Sequence, residues 1–161
     1  MKPTSSRTCL IGLDLGTSAI KGVLTDTRGV VLAEAGADSC FIHPQEGWVE
    51  VDPERHYRNV CCVIRELAAA APSEPAALAM AAASGNALLT AADGAPLMNI
   101  INWMDHRAEQ QPPACLVGLT SGEVTRVTGW PCVTSFPLGH LAWLREHRPD
   151  LYGTAGRYGE D

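Results

Sequence analysis

Apolar residues at the start of the chain come in short runs with polar breaks. Residues 9–15, Cys-Leu-Ile-Gly-Leu-Asp-Leu, are nearly all apolar and predict a buried strand that ends at the polar turn Gly16-Thr17-Ser18. From Ile20 to Asp26, Ile20, Gly22 and Leu24 alternate with Lys21 and Thr25, the period of a strand with one buried face. Thr27-Arg28-Gly29 is a hairpin signal, and Val30-Val31-Leu32-Ala33 begins a third strand. Three strands in succession predict a meander.

The pattern then changes period. His43-Pro44-Gln45-Glu46-Gly47 reads as a loop closed by Trp48-Val49-Glu50-Val51, and Asp52-Pro53 opens a helix with a good N-cap and a proline at the first helical position. Tyr57, Val60, Cys61, Ile64, Leu67, Ala68 and Ala71 follow in helical spacing up to Pro72. Arg55, Arg58, Arg65 and Glu66 fall on its solvated face. Ala76 to Ala83 is a small-residue apolar run. Its place between a helix and a Gly-Asn turn favours a buried strand parallel to the first. Ala87 to Thr90 and Leu97 to Trp103 flank the hairpin signal Asp93-Gly94. Phe136 to His147 predicts a helix with Leu138, Leu141, Ala142 and Leu144 as its apolar positions, stopped at Arg148-Pro149. The order β-β-β-α-β, then further α/β, is that of the actin-like ATPase fold, also called ribonuclease H-like. Residues 9–161 read as one incomplete α/β domain after a disordered polar start at residues 1–8.

Composition narrows the class. Of 161 residues, 46% are apolar and 19% charged, the proportions of a globular domain. No apolar run reaches the roughly 18 residues of a membrane span, and the polar opening does not read as a signal peptide, so a cytoplasmic location without membrane contact is expected. A net charge of −6 with no long basic run argues against nucleic acid as a partner. The cysteines Cys9, Cys40, Cys61, Cys62, Cys115 and Cys132 form no C-x-x-C pair; they read as reduced, mostly buried small hydrophobes.

The sharpest local motif is Asp14-Leu15-Gly16-Thr17-Ser18 with Lys21 beyond it. A tight turn between strands exposes consecutive backbone N–H groups, Gly16 lets a phosphate approach, and Thr17 and Ser18 add hydroxyls. A carboxylate such as Asp14 holds Mg²⁺ through water beside a phosphate. An ordinary hairpin turn accounts for the same five residues. In the second half, Trp103 offers an aromatic face and Asp105 a carboxylate that can accept hydrogen bonds. The alternative packs Trp103 into the core and pairs Asp105 with Arg107.

Four segments in order carry a resemblance. They are D-L-G-T-S-x-x-K-x-x-L-x-D from Asp14 to Asp26, Pro44 to Pro53 with its G-W-V-E-V-D-P, Asp93 to Arg107 with its D-G-x-P-L and W-M-D-H-R, and Thr128-Gly129-Trp130-Pro131 with Phe136 to Trp143. Together they resemble the N-terminal part of FGGY-family carbohydrate kinases of the xylulokinase and gluconokinase kind. The resemblance implies ATP and Mg²⁺ as cofactors and a small-molecule sugar or polyol as acceptor, and leaves a homo-oligomer of the full-length parent open. It places Asp14, Gly16, Thr17, Ser18 and Lys21 at the phosphates, with Asp14 holding the metal through water. Ser84, Gly85, Asn86, Trp103 and Asp105 fall at the sugar, while Trp48 reads as core.

The chain departs from that pattern in two ways. Where many members show G-Q-M-H-G, this chain has Ala82-Ala83-Ser84-Gly85-Asn86, so the Met-His pair falls on Ser84 and Gly85. Members acting on glycerol have Arg-Glu there and Tyr where Ser135 falls, which disfavours glycerol. His140 replaces a common Lys and reads as an exposed helical residue. The second departure is length. The family's general base is an Asp beyond residue 161, and neither Asp150 nor Asp161 fills its place, so the chain reads as an N-terminal piece inactive alone. The rival readings are a non-catalytic remnant or sugar-binding module, and a chaperone-like or cytoskeletal ATPase of the same fold.

Overall fold

The structure, a computed structural model, describes residues 8–111, 114, 117–130 and 137–159. The disordered start expected at residues 1–8 falls, but for Thr8, outside the described residues, as do Cys115, Cys132, Ser135, Phe136 and Asp161. The chain forms two compact units, each with its own apolar cluster.

The first unit is the expected meander and more. β1 (Cys9–Leu15) pairs antiparallel with β2 (Ala19–Asp26), and β2 with β3 (Val31–Asp38). The turn between β2 and β3 is organised by Asp26. Its Oδ1 accepts the N–H groups of Arg28 at 2.9 Å and Val30 at 3.1 Å, and its Oδ2 accepts Arg28 Nη2 at 2.9 Å. These bonds, the one from the Arg28 side chain foremost, hold the Asp26 carboxyl below the usual carboxylate range. Val30 belongs to this turn and not to the third strand, because its carbonyl accepts the Asp26 N–H.

Helix α1 (Pro53–Ala70) starts on its proline and stops before Pro72. It packs Val60, Val63 and Leu67 against Ile11, Leu13, Ile20 and Leu24. Tyr57, the first of the helically spaced apolar residues, is 67% exposed, since the packed stripe begins one turn later and takes in Val63. The helix comes so near the sheet that a Cβ on Gly22 would lie 2.7 Å from both Val63 and Leu67. The charged residues expected on its solvated face are exposed.

Strand β6 (Ala77–Ala82) lies parallel to β1, completing the order β3-β2-β1-β6. It is not buried, as its apolar composition suggested; all six residues are exposed, Met80 by 61%. The reason is its place. It is the sheet's edge, and α1 covers the β1–β2 side. The cysteines are likewise less buried than expected. Cys9 is in the core, Cys40 and Cys61 are half-buried, and Cys62 is exposed on α1; all four are free thiols.

The second unit joins short strands by long-range pairing. β4 (Phe41–Ile42), β5 (Glu50–Val51) and β8 (Ile100–Ile101) form one antiparallel sheet. β7 (Leu88–Thr90) pairs with β9 (Arg157–Gly159), neither β4 nor β9 having been expected. The Asp93-Gly94 hairpin is present: Leu97 N–H donates to Leu89 O at 2.9 Å and Ala91 N–H to Ala95 O at 2.8 Å. Helices α2 (Arg107–Gln110), α3 (Ser121–Thr128), α4 (Pro137–His147) and α5 (Pro149–Thr154) complete the unit. In α4 the buried residues are Gly139, His140, Ala142, Trp143 and Leu144, while Leu138 is exposed. His140 is therefore not the exposed residue expected; it is buried, with Nε2 3.3 Å from a backbone carbonyl of the same unit.

Candidate functional site

The five residues given to phosphate lie at one end of the β1–β2 pair. Asp14 and Lys21 are opposite each other in the register, so both exposed side chains stand on the same face of the sheet. Between them the chain turns at Gly16-Thr17-Ser18, where Gly16 N–H donates to Ala19 O at 3.1 Å. Ser39, just past β3, ties this turn down: its N–H donates to Ser18 O at 3.2 Å and its hydroxyl to Gly16 O at 3.3 Å. A Cβ on Gly16 would come 3.0 Å from Ala19 O, so the turn closes tightly only around glycine. The result is a fixed, solvent-facing hairpin end bearing one carboxylate, one ammonium and two hydroxyls. Among the described residues no three His, Cys, Asp or Glu side chains gather into a metal cage.

The five residues given to the sugar lie in the second unit. Ser84 is exposed, Gly85 takes φ +101°, a conformation that favours glycine, and Asn86 is buried at 4%. Asn86 Oδ1 accepts the Trp103 N–H at 2.9 Å. The turn around Trp103 is closed by Asn102, whose Oδ1 accepts the Met104 N–H at 3.0 Å and whose carbonyl accepts the Asp105 N–H at 2.9 Å. Held by its backbone, Trp103 leaves its side chain 41% exposed instead of packing into the core.

Asp105, two residues on, is fully buried. Its Oδ2 accepts Val49 N–H at 2.6 Å and Arg107 Nη2 at 2.9 Å; its Oδ1 accepts Arg107 N–H and Nε, each at 2.8 Å. Arg107, 3% exposed, also donates to Glu50 Oε1 at 2.7 Å, and its guanidinium lies 3.7 Å from the centre of the Trp48 ring. Trp48 meets Trp143 edge-on at 5.3 Å. Trp48 is delivered by a turn in which Gly47 has φ +78° and Trp48 N–H donates to Gln45 O at 3.1 Å. The G-W-V-E stretch thus supplies the ring and the second carboxylate around Arg107, in keeping with the core reading of Trp48. The pairing of Asp105 with Arg107 was an alternative legible in the sequence. Glu50 and Asn102 were not singled out and His140 was read as an exposed residue; only the W-x-D-x-R spacing hinted at a knot there.

The family model described as FGGY family of carbohydrate kinases, N-terminal domain, matches residues 9–159. The chain belongs to the FGGY family of carbohydrate kinases. Its similarity to a curated glycerol kinase of Methylorubrum extorquens (strain PA1) is 34% identity over 139 residues, 84% of this chain and 28% of that protein. The chain thus spans under a third of the length of this relative. Among solved structures it is similar to gluconate kinase from Lactobacillus acidophilus, with a TM-score of 0.86 and 26% identity over 96% of this chain and 31% of that one. Xylulose kinase from the same organism gives a TM-score of 0.84 and 26% identity, over 94% of this chain and 31% of that one. The fold is accordingly that of the FGGY N-terminal domain, an incomplete α/β domain of actin-like ATPase type. No described helix is long and apolar enough to cross a membrane.

Proposed function

We propose that the whole protein of which this FGGY segment is the N-terminal part transfers a phosphoryl group from ATP to a hydroxyl of a sugar or polyol in the cytoplasm. The observation that carries the reading is Trp103: an exposed indole on a turn fixed by Asn86 and by the buried Asp105–Arg107 pair. An apolar surface that costs burial yet stays exposed on a rigid support is what the C–H face of a sugar needs. By the family resemblance Ser84, Gly85 and Asn86 belong to the same acceptor site. Asp105 serves it through the turn, since both its oxygens are already engaged by protein donors.

At the phosphates, the Gly16-Thr17-Ser18 turn brings hydroxyls and Lys21 a positive charge. Asp14 fits Mg²⁺ held through water, because its carboxylate is exposed beside a turn that a Cβ would crowd. The ion would neutralise charge on the transferred group. By family resemblance the base that takes the hydroxyl proton lies outside residues 1–161, so this segment alone is expected to bind without turning over.

The acceptor is the finer question. The Methylorubrum relative is a glycerol kinase, but this chain carries Ser84-Gly85 where glycerol-acting members carry Arg-Glu, which favours a larger acceptor. An ADP-release assay of the full-length protein over a panel of pentoses, ketoses, sugar acids, polyols and glycerol tests the reading. Turnover with one panel member, and a KM raised about tenfold or more by Trp103→Ala, supports it. ATP turnover that ignores every panel member sinks it and favours the ATPase alternative.

A further inference from the structure

His140 stands on α4 where the resembling segment of other members has Lys, and its environment gives the replacement a use. Its side chain is fully buried. Nε2 lies 3.3 Å from the backbone carbonyl oxygen of Asp105. A carbonyl can only accept, so Nε2 carries a proton, and burial of an unpartnered Nδ1 favours the neutral Nε2–H tautomer. Nδ1 is then a buried lone pair with no partner among the described residues. Asp105 is thereby clamped twice, its carboxylate by Val49 and Arg107 and its carbonyl by His140, and it closes the turn that begins at Asn102 and carries Trp103.

We propose that His140 is a positioning residue, a neutral latch from α4 on the Asp105 carbonyl that fixes the Trp103 turn and releases it when the imidazole takes up a second proton. A proton on Nδ1 would place a charged N–H in a buried site where the described residues offer it no acceptor. Burial is the largest influence and holds the imidazole below the usual histidine value; of the charged groups facing the ring among the described residues, Asp105 favours the proton, through its carbonyl and its charge, and Arg107 opposes it. On α5, the neighbour of α4, Arg148 and Asp150 are exposed and paired with each other at 3.0 Å. The charged ring gains most by leaving for water, and the Asp105 carbonyl then loses its α4 anchor. The proposal rests on the reading of Trp103 as a sugar wall only for its consequence, a weaker hold on the acceptor in acid.

Hydrogen exchange read by mass spectrometry on the 161-residue chain, without sugar, tests the latch. Exchange is corrected for its intrinsic pH dependence and followed from about pH 7.5 to about pH 4.5. Protection of the peptide spanning 102–106 is expected to fall about tenfold or more, while the β1–β2 peptide 9–26 keeps its protection. In His140→Gln, whose amide can still donate but cannot titrate, the 102–106 peptide is expected to lose that pH response. A flat response in the unsubstituted chain, a fall shared equally by peptide 9–26, or an unchanged response in His140→Gln overturns the latch. If His140→Gln does not fold, the comparison of the two peptides in the unsubstituted chain still decides. A pH-sensitive turn in a protein that no sugar or polyol engages would uphold the latch and sink the sugar reading, so the two fail separately.

Discussion

Asp105 and Trp103 sit two positions apart and do opposite things, because one side chain is sealed and the other is presented. Taking the guanidinium away by Arg107→Ala would strand the buried Asp105 carboxylate, whose burial is tolerable only with its donors in place. Loss of about 3–5 kcal/mol is expected, read from the midpoint of urea unfolding. His140 adds a pH dependence of definite sign. Its folded-state value lies below the 6.5 of an unperturbed imidazole, so below that value the unfolded chain binds more protons. Its contribution is present in full above about pH 6.5 and is lost progressively as the pH falls toward the folded value. Thermal unfolding at stepped pH should show this slope, and His140→Gln should flatten it below about pH 6.5. The residue scale is also where sequence reading went furthest astray. The W-M-D-H-R string puts Asp105 and Arg107 within reach of each other, but nothing in the order of residues says that a histidine 35 positions later meets the carbonyl of Asp105. Polar residues on helices are usually solvated, and only the tertiary contact makes His140 an exception.

Elements were legible where their pattern was local. The meander, the start of α1 on Pro53 and the Asp93-Gly94 hairpin follow from alternation, capping and turn residues that lie side by side in the chain. β4 and β9 were not legible, because two or three residues carry no period and their partners are distant. Helix α3 was readable and overlooked: Thr120 and Glu123 form a capping box, and Gly129 ends the helix at φ +78°. Thr120→Ala should cost about 1 kcal/mol and fray this helix, visible as faster amide exchange in 121–128. The contact of α1 with its sheet is tighter than any periodicity could reveal. Gly22→Ala would press a methyl to 2.7 Å of Val63 and Leu67, and a loss of about 1–3 kcal/mol is expected by urea unfolding. The candidate phosphate turn was legible almost whole, since its five residues are neighbours on one hairpin. The sugar-side residues come from two distant stretches, and of these Asn86 and Trp103 are joined by a hydrogen bond that only the folded chain forms.

For the molecule as a whole, β6 is the exposed margin of the first unit, six residues of Ala, Leu and Met with no charge or proline to discourage pairing. The 161-residue chain by itself is expected to associate as its concentration rises, and Met80→Lys to weaken that association, both measurable by sedimentation velocity. A monodisperse monomer at every concentration would count against this. The order in which the units are threaded has a further effect. The chain starts the first unit, crosses into the second with β4 and β5, returns for α1 and β6, and only then supplies β8. During synthesis, Glu50 and Val51 therefore wait for Ile100 and Ile101, and at about 5–20 residues per second that delay lasts several seconds. Throughout it the G-W-V-E stretch lacks the strand and the arginine that it packs against. The nascent kinase segment therefore depends on whatever shelters that tryptophan until its arginine arrives.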